Sequence, residues 1–119
     1  MHSNNLIHRD IKSDNILFRT KGTDECKLAD FGLACLIDPK KGGIKQFSGT
    51  LFYMAPEIIQ QNGNGIYPDL EDDAQIPLMS FPIDVWAIGV MAYELITGLA
   101  AFEFAAANEC RLYNAILYK

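Results

Sequence analysis

Apolar residues in the first thirty positions come in short clusters separated by polar breaks. Ile16, Leu17 and Phe18, and then Cys26, Leu28 and Ala29, flank the polar, Gly-containing stretch from Thr20 to Glu25. That pattern predicts two short strands, 16–19 and 26–29, joined by a turn. Residues 30–54 hold no sustained period and contain the Gly42-Gly43 pair, which predicts an extended loop. A short helix is expected over 55–60. Gln61 to Pro82 collects Gly, Asn, Pro and acidic residues, the composition of a surface loop or insertion. From Ile83 to Thr97 apolar residues fall on every helical face, which predicts a helix buried all round. Pro82 suits its first turn and Gly98 its stop. Asn108 then caps a last helix whose Leu112, Tyr113, Ile116 and Leu117 form one apolar stripe. A central helix that is apolar on all sides needs neighbours on all sides, and these 119 residues supply few. The sequence therefore reads as the middle of a larger domain, with Met1 standing like an internal methionine ahead of His2 and Ser3.

Composition narrows the class. Half of the residues are apolar, enough for a core in one small domain. The formal charge of -5 is uneven, because Asp69, Glu71, Asp72 and Asp73 crowd a stretch without Lys or Arg. With no basic face, binding to nucleic acid phosphates or to an anionic membrane surface is not expected. Cys26, Cys35 and Cys110 lack the spacing of a zinc site or a disulfide scaffold and read as reduced thiols. The N-terminal residues do not form a signal peptide, and the most apolar window, 83–97, contains Asp84 and Glu94 and falls short of a membrane span. A soluble protein of the cytoplasm or nucleus is expected.

The chemistry is concentrated in "HRDIKSDN", His8 to Asn15, where Arg9, Asp10, Lys12 and Asp14 place four charges within eight residues. Crowding of that kind is costly unless something charged is to be handled there. In order along the chain follow Asp30-Phe31-Gly32, Ala55-Pro56-Glu57 and "DVWAIG" from Asp84. The joint pattern resembles the eukaryotic protein kinase catalytic domain. "HRDIKSDNIL" is most similar to the serine/threonine branch, near the Ste20 and p21-activated groups. The resemblance covers 1–119, from the catalytic loop to the helix usually called G. It implies a mainly α structure with a small β-hairpin: an incomplete large, C-terminal lobe of the α+β kinase fold.

The resemblance also implies a reaction: ATP- and Mg2+-dependent transfer of a phosphoryl group to Ser or Thr of protein substrates. Asp10 would accept or orient the proton of the attacking hydroxyl. Lys12 would offset charge on the transferring group and contact the nucleotide. Asn15 and Asp30 would hold magnesium. Leu17 would form the floor under adenine, anchored by Ile16 and Phe18, although a plain strand-core role looks identical in sequence. His8 and Phe31 would stack to join the catalytic loop to the Asp30-Phe31-Gly32 turn, with His8 a packed rather than a titrating group. Asp84 would accept hydrogen bonds from catalytic-loop backbone, unless it is an ordinary acid at a helix N-terminus. Thr50 would bridge Asp10 and Lys12, and Glu57 belongs to the same activation segment.

Departures from the family pattern carry equal information. The usual phosphorylated hydroxyl, which pairs with Arg9, is replaced by Gln46, and a second base by Cys35. Switching by phosphorylation at that place is not expected. Ser48 is left as a phosphosite or an ordinary loop residue. The Glu57 to Asp84 span exceeds its family counterpart by a short loop, read as a solvated acidic insertion. No Gly-rich loop, nucleotide-binding lysine strand or hinge precedes His8, so the small lobe is expected elsewhere in the full-length protein. A second reading stays open: a truncated, non-catalytic kinase-like chain that acts as a protein-binding module.

Overall fold

The two clusters that alternate around Thr20 to Glu25 do pair. In the computed structural model, which describes all residues except 23, 39, 44–45, 62–78 and 119, strand β2 (Ile16–Phe18) runs antiparallel to β3 (Cys26–Leu28), with Ile16 opposite Leu28 and Phe18 opposite Cys26. A second two-stranded sheet was not expected. It pairs β1 (Leu6–Ile7) with β4 (Cys35–Leu36), so Ile7 lies opposite Cys35. Two-residue strands carry no period of their own. β4 exists because Ile7 and Ile37 are drawn into one core and the backbone between them finds a partner. The extended loop expected over 30–54 is interrupted by a strand at Cys35–Leu36 and again by a 3-10 turn over Leu51–Tyr53.

Helix α1 (Pro56–Gln60) begins with proline in its first turn. Helix α2 (Pro82–Thr97) also begins with proline and ends at Gly98, whose φ of 72° and N–H bond to the Glu94 carbonyl (2.8 Å) form a left-handed cap. Helix α3 (Glu109–Tyr118) starts as its sequence predicts, with the Arg111 N–H donating to Asn108 Oδ1 at 2.8 Å. One core joins these pieces: Ile58 and Ile59 of α1, Ile83 of α2 and Leu112, Tyr113 and Ile116 of α3 are each at most 5% exposed.

The expectation of an α2 buried all round is corrected. Only Ile83, Asp84, Ala87 and Val90 are buried, whereas Val85 is 61%, Leu95 71% and Ile96 85% exposed. The described residues cover one face of the helix, chiefly near its start. The acidic stretch 69–73 lies outside the described residues. Among those residues no helix is long and apolar enough to cross a membrane.

Candidate functional site

The loop after β1 is held by its backbone before any side chain acts. Ile7 and His8 are fully buried, and Asp84, 2% exposed in the first turn of α2, receives the next two amides. Its Oδ2 accepts from His8 N–H and its Oδ1 from Arg9 N–H, both at 2.9 Å. Arg9 is in the left-handed region with φ 69°, uncommon for a non-glycine residue.

Asp10, Lys12, Asn15 and Thr50 meet in one cluster. The Lys12 Nζ is 3.0 Å from Asp10 Oδ2 and donates to Thr50 Oγ1, also at 3.0 Å. Thr50 in turn donates to Asp10 Oδ1 at 2.6 Å. The Asn15 amide donates to the Asp10 carbonyl at 2.8 Å and to its carboxylate at 3.3 Å. Burial pushes the Asp10 carboxyl upward, but the donors on Thr50, Lys12 and Asn15 and the Lys12 charge outweigh it, leaving Asp10 below its ordinary value. A 9%-exposed carboxylate therefore stays ionised because its oxygens are nearly surrounded by donors. Of the crowded charges of "HRDIKSDN", Asp10 and Lys12 neutralise one another at hydrogen-bond distance.

The hairpin brings the second acidic motif alongside. Ile16 pairs with Leu28, and the Ala29 N–H donates to the Asn15 carbonyl at 2.8 Å, so Asp30 follows directly after the end of the strand that abuts Asn15. Asp30 has φ 55° and accepts the Gly32 N–H at 3.1 Å. His8 donates from Nε2 to the Ala29 carbonyl (3.0 Å) and accepts the Asp10 N–H on Nδ1 (3.3 Å), an arrangement that requires a neutral ring. Its ring meets Phe31 edge-on at 4.9 Å. The imidazole is thus a packed bridge between the two loops.

A divalent metal fits Asn15 and Asp30 by donor chemistry. The Asn15 NH2 is spent on Asp10, which leaves its amide oxygen as an acceptor, and Asp30 is an exposed carboxylate with one oxygen bonded to Gly32. Among the described residues no three His, Cys, Asp or Glu side chains could hold a metal together. Two hard oxygens from the protein, with the rest supplied by phosphate and water, is the pattern magnesium uses.

The remaining predicted residues are dispersed. Leu17 is 57% and Phe18 66% exposed, so both are open to solvent among the described residues. Only Ile16 is partly covered. Arg9 donates from Nε to the Leu33 carbonyl and from Nη1 to Gln46 Oε1 at 2.6 Å. Cys35 is paired within β4. The Ser48 hydroxyl is buried without a partner among the described residues. Glu57 is half-buried and makes no ion pair among the described residues.

Four contacts escaped the sequence. His2 Nε2 lies 2.8 Å from Asp84 Oδ2, and its ring packs 5.0 Å from Phe81. Tyr53 donates to Glu94 Oε2, and the Ser13 hydroxyl therefore donates to Tyr53 at 3.0 Å. Burial first, and then the Glu94 carboxylate, raise the Tyr53 hydroxyl above its ordinary value. Asp14 and Glu94 line one cleft with Ser13, Thr50 and Tyr53. The signal for the Tyr53–Glu94 pairing was a charged Glu94 in the largely apolar run that follows Asp84 in α2.

Residues 1–117 match the protein kinase domain family. The chain is 40% identical over 97 residues to calcium-dependent protein kinase 6 of Plasmodium berghei, covering 82% of this chain and 6% of that protein. It is 35% identical over 119 residues to the serine/threonine-protein kinase DCLK1 of Rattus norvegicus, covering 98% and 23%. It is 38% identical over 98 residues to the serine/threonine-protein kinase PAK 1 of Mus musculus, covering 82% and 15%. The chain thus spans less than a quarter of the length of each of these relatives.

Proposed function

This chain belongs to the protein kinase domain family, and we propose that it supplies the catalytic-loop and activation-segment core of a serine/threonine kinase, in the large lobe. The observation that carries the proposal is Thr50 Oγ1, bonded at once to Asp10 (2.6 Å) and Lys12 (3.0 Å). A hydroxyl from the activation segment then holds a base and a cation in register, which is the positioning that phosphoryl transfer asks of a protein. Mg-ATP, when bound, would supply the phosphoryl group, whose bond to the β-phosphate oxygen is broken with ADP as the leaving group, and the metal would offset the charge of the phosphates.

The chain's own residues do the rest. Asp10, kept ionised, accepts the hydrogen bond of a substrate hydroxyl and takes its proton as that oxygen becomes bonded to phosphorus. Lys12 presents its ammonium beside the same point, where negative charge collects. Asn15 and Asp30 offer the metal-facing oxygens. Leu17, exposed on β2, is free to meet an adenine face. Asp14 and Glu94 make the neighbouring cleft acidic, which suits a substrate with a basic side chain close to the accepting Ser or Thr. A Ste20-like or p21-activated affiliation rests on the "HRDIKSDN" loop alone.

The test is phosphotransfer from γ-labelled ATP to basic protein substrates by the complete protein, followed by phosphoamino-acid analysis. Phosphoserine and phosphothreonine that vanish in Asp10→Asn are expected. Predominant phosphotyrosine, or an undiminished Asp10→Asn, would overturn the assignment.

A further inference from the structure

Thr50 can bridge Asp10 and Lys12 only if the stretch leading to it is held over the catalytic loop. Four contacts fasten that stretch. At its far end, Thr50 donates to Asp10. One residue earlier, Gly49 has φ 118° and lies so close to Arg9 that a Cβ there would stand 2.7 Å from the Arg9 carbonyl oxygen, so only glycine fits. At its near end, the Gln46 amide oxygen accepts from Arg9 Nη1 at 2.6 Å, and the Gln46 N–H donates to Gln61 Oε1 at 2.9 Å.

The anchor is itself fixed. Arg9 is tied through its own N–H to Asp84, by its left-handed backbone to one direction, and through Nε to the Leu33 carbonyl. A guanidinium so oriented presents its outer nitrogen at a set position. Gln46 fills it with a neutral acceptor, which needs no added charge and does not titrate.

We propose that Gln46 is a positioning residue: a neutral latch that holds residues 46–50 on the catalytic loop so that Thr50 reaches Asp10 and Lys12. The latch is a conformational property, and only its effect on turnover rests on the kinase reading. Because the acceptor is the uncharged amide of Gln46, the segment is held without a phosphate.

The test uses the complete protein with Gln46→Ala and Gln46→Glu. Backbone amide exchange across 47–50 should quicken roughly three- to tenfold in Gln46→Ala, the range expected for one such hydrogen bond. Gln46→Glu has the same length and gains a charge-assisted bond, so its exchange should match or fall below the parent's. Turnover should follow the same order, with kcat lowered in the alanine variant and KM for ATP little changed, and phosphatase treatment should leave the parent's rate unaltered. Unchanged exchange in Gln46→Ala, or Gln46→Glu as fast as alanine, would overturn the latch. A parent protein that shows the exchange pattern but transfers no phosphate would uphold the latch and sink the kinase reading instead.

Discussion

Removing the Asp84 carboxylate should cost more stability than any other single polar change near the loop. Asp84→Ala strips the acceptors from two amides, His8 N–H in a buried setting and Arg9 N–H in a partly buried one, each bonded at 2.9 Å. A hydrogen bond to a charged group contributes about 1.5–3 kcal/mol, so the two together amount to about 3–6 kcal/mol. That compares with a usual domain stability of about 5–15 kcal/mol. Asp84→Asn keeps one acceptor and turns an NH2 toward the other amide, which should place it between alanine and the parent. His2→Ala removes a contact from a ring whose side chain is 37% exposed, and should cost about 0.5–1.5 kcal/mol. Urea unfolding of the complete protein, comparing midpoints at constant slope, measures all three. A cost for Asp84→Ala below about 1 kcal/mol, or one equal to that of His2→Ala, would show that the loop is held by something else.

Asp10→Asn should abolish phosphotransfer with Mg-ATP affinity nearly intact, while Asp30→Asn should lose metal-dependent nucleotide binding; titration calorimetry with and without magnesium separates the two, and equal losses in both would contradict the division of roles. Asp10 sits below its ordinary carboxyl value in the folded chain, so its contribution to stability is complete above 3.8 and fades as pH falls through the folded value. Thr50→Val removes a principal donor and should move that carboxyl upward, which the Asp10 carboxyl signal in an acid NMR titration reads directly; an unmoved midpoint is the opposing result. Asp14→Asn with Glu94→Gln should raise KM for basic peptides severalfold more than for neutral ones, and a uniform change would argue against the acidic cleft. Residues 1–119 alone should self-associate, since each exposed apolar side chain such as Val85, Leu95 or Ile96 forgoes about 1.5–3 kcal/mol of burial; a sharply unfolding monomer in sedimentation and urea titration would refute this.

Local chemistry made much of this protein legible in one dimension. The hairpin over Ile16 to Leu28 follows from alternating clusters around a polar turn. Pro82 and Gly98 bound α2, and Asn108 starts α3, because caps act within a few residues of themselves. The motifs around Asp10, Asp30 and Asp84 named the cluster for the same reason: each is a short run with a distinctive composition. What the sequence could not carry is contact across distance. β4 pairs with β1 thirty residues away through two residues that have no period, and Tyr53 finds Glu94 and His2 finds Asp84 only once the core has brought them together. The face of α2 that is buried was undetermined in the same way, since a helix apolar on every side holds no record of which side its neighbours take. Covalent order dictates propensity and caps; the packing of Ile7, Ile37, Ile58 and Tyr113 into one core decides which distant groups share a site.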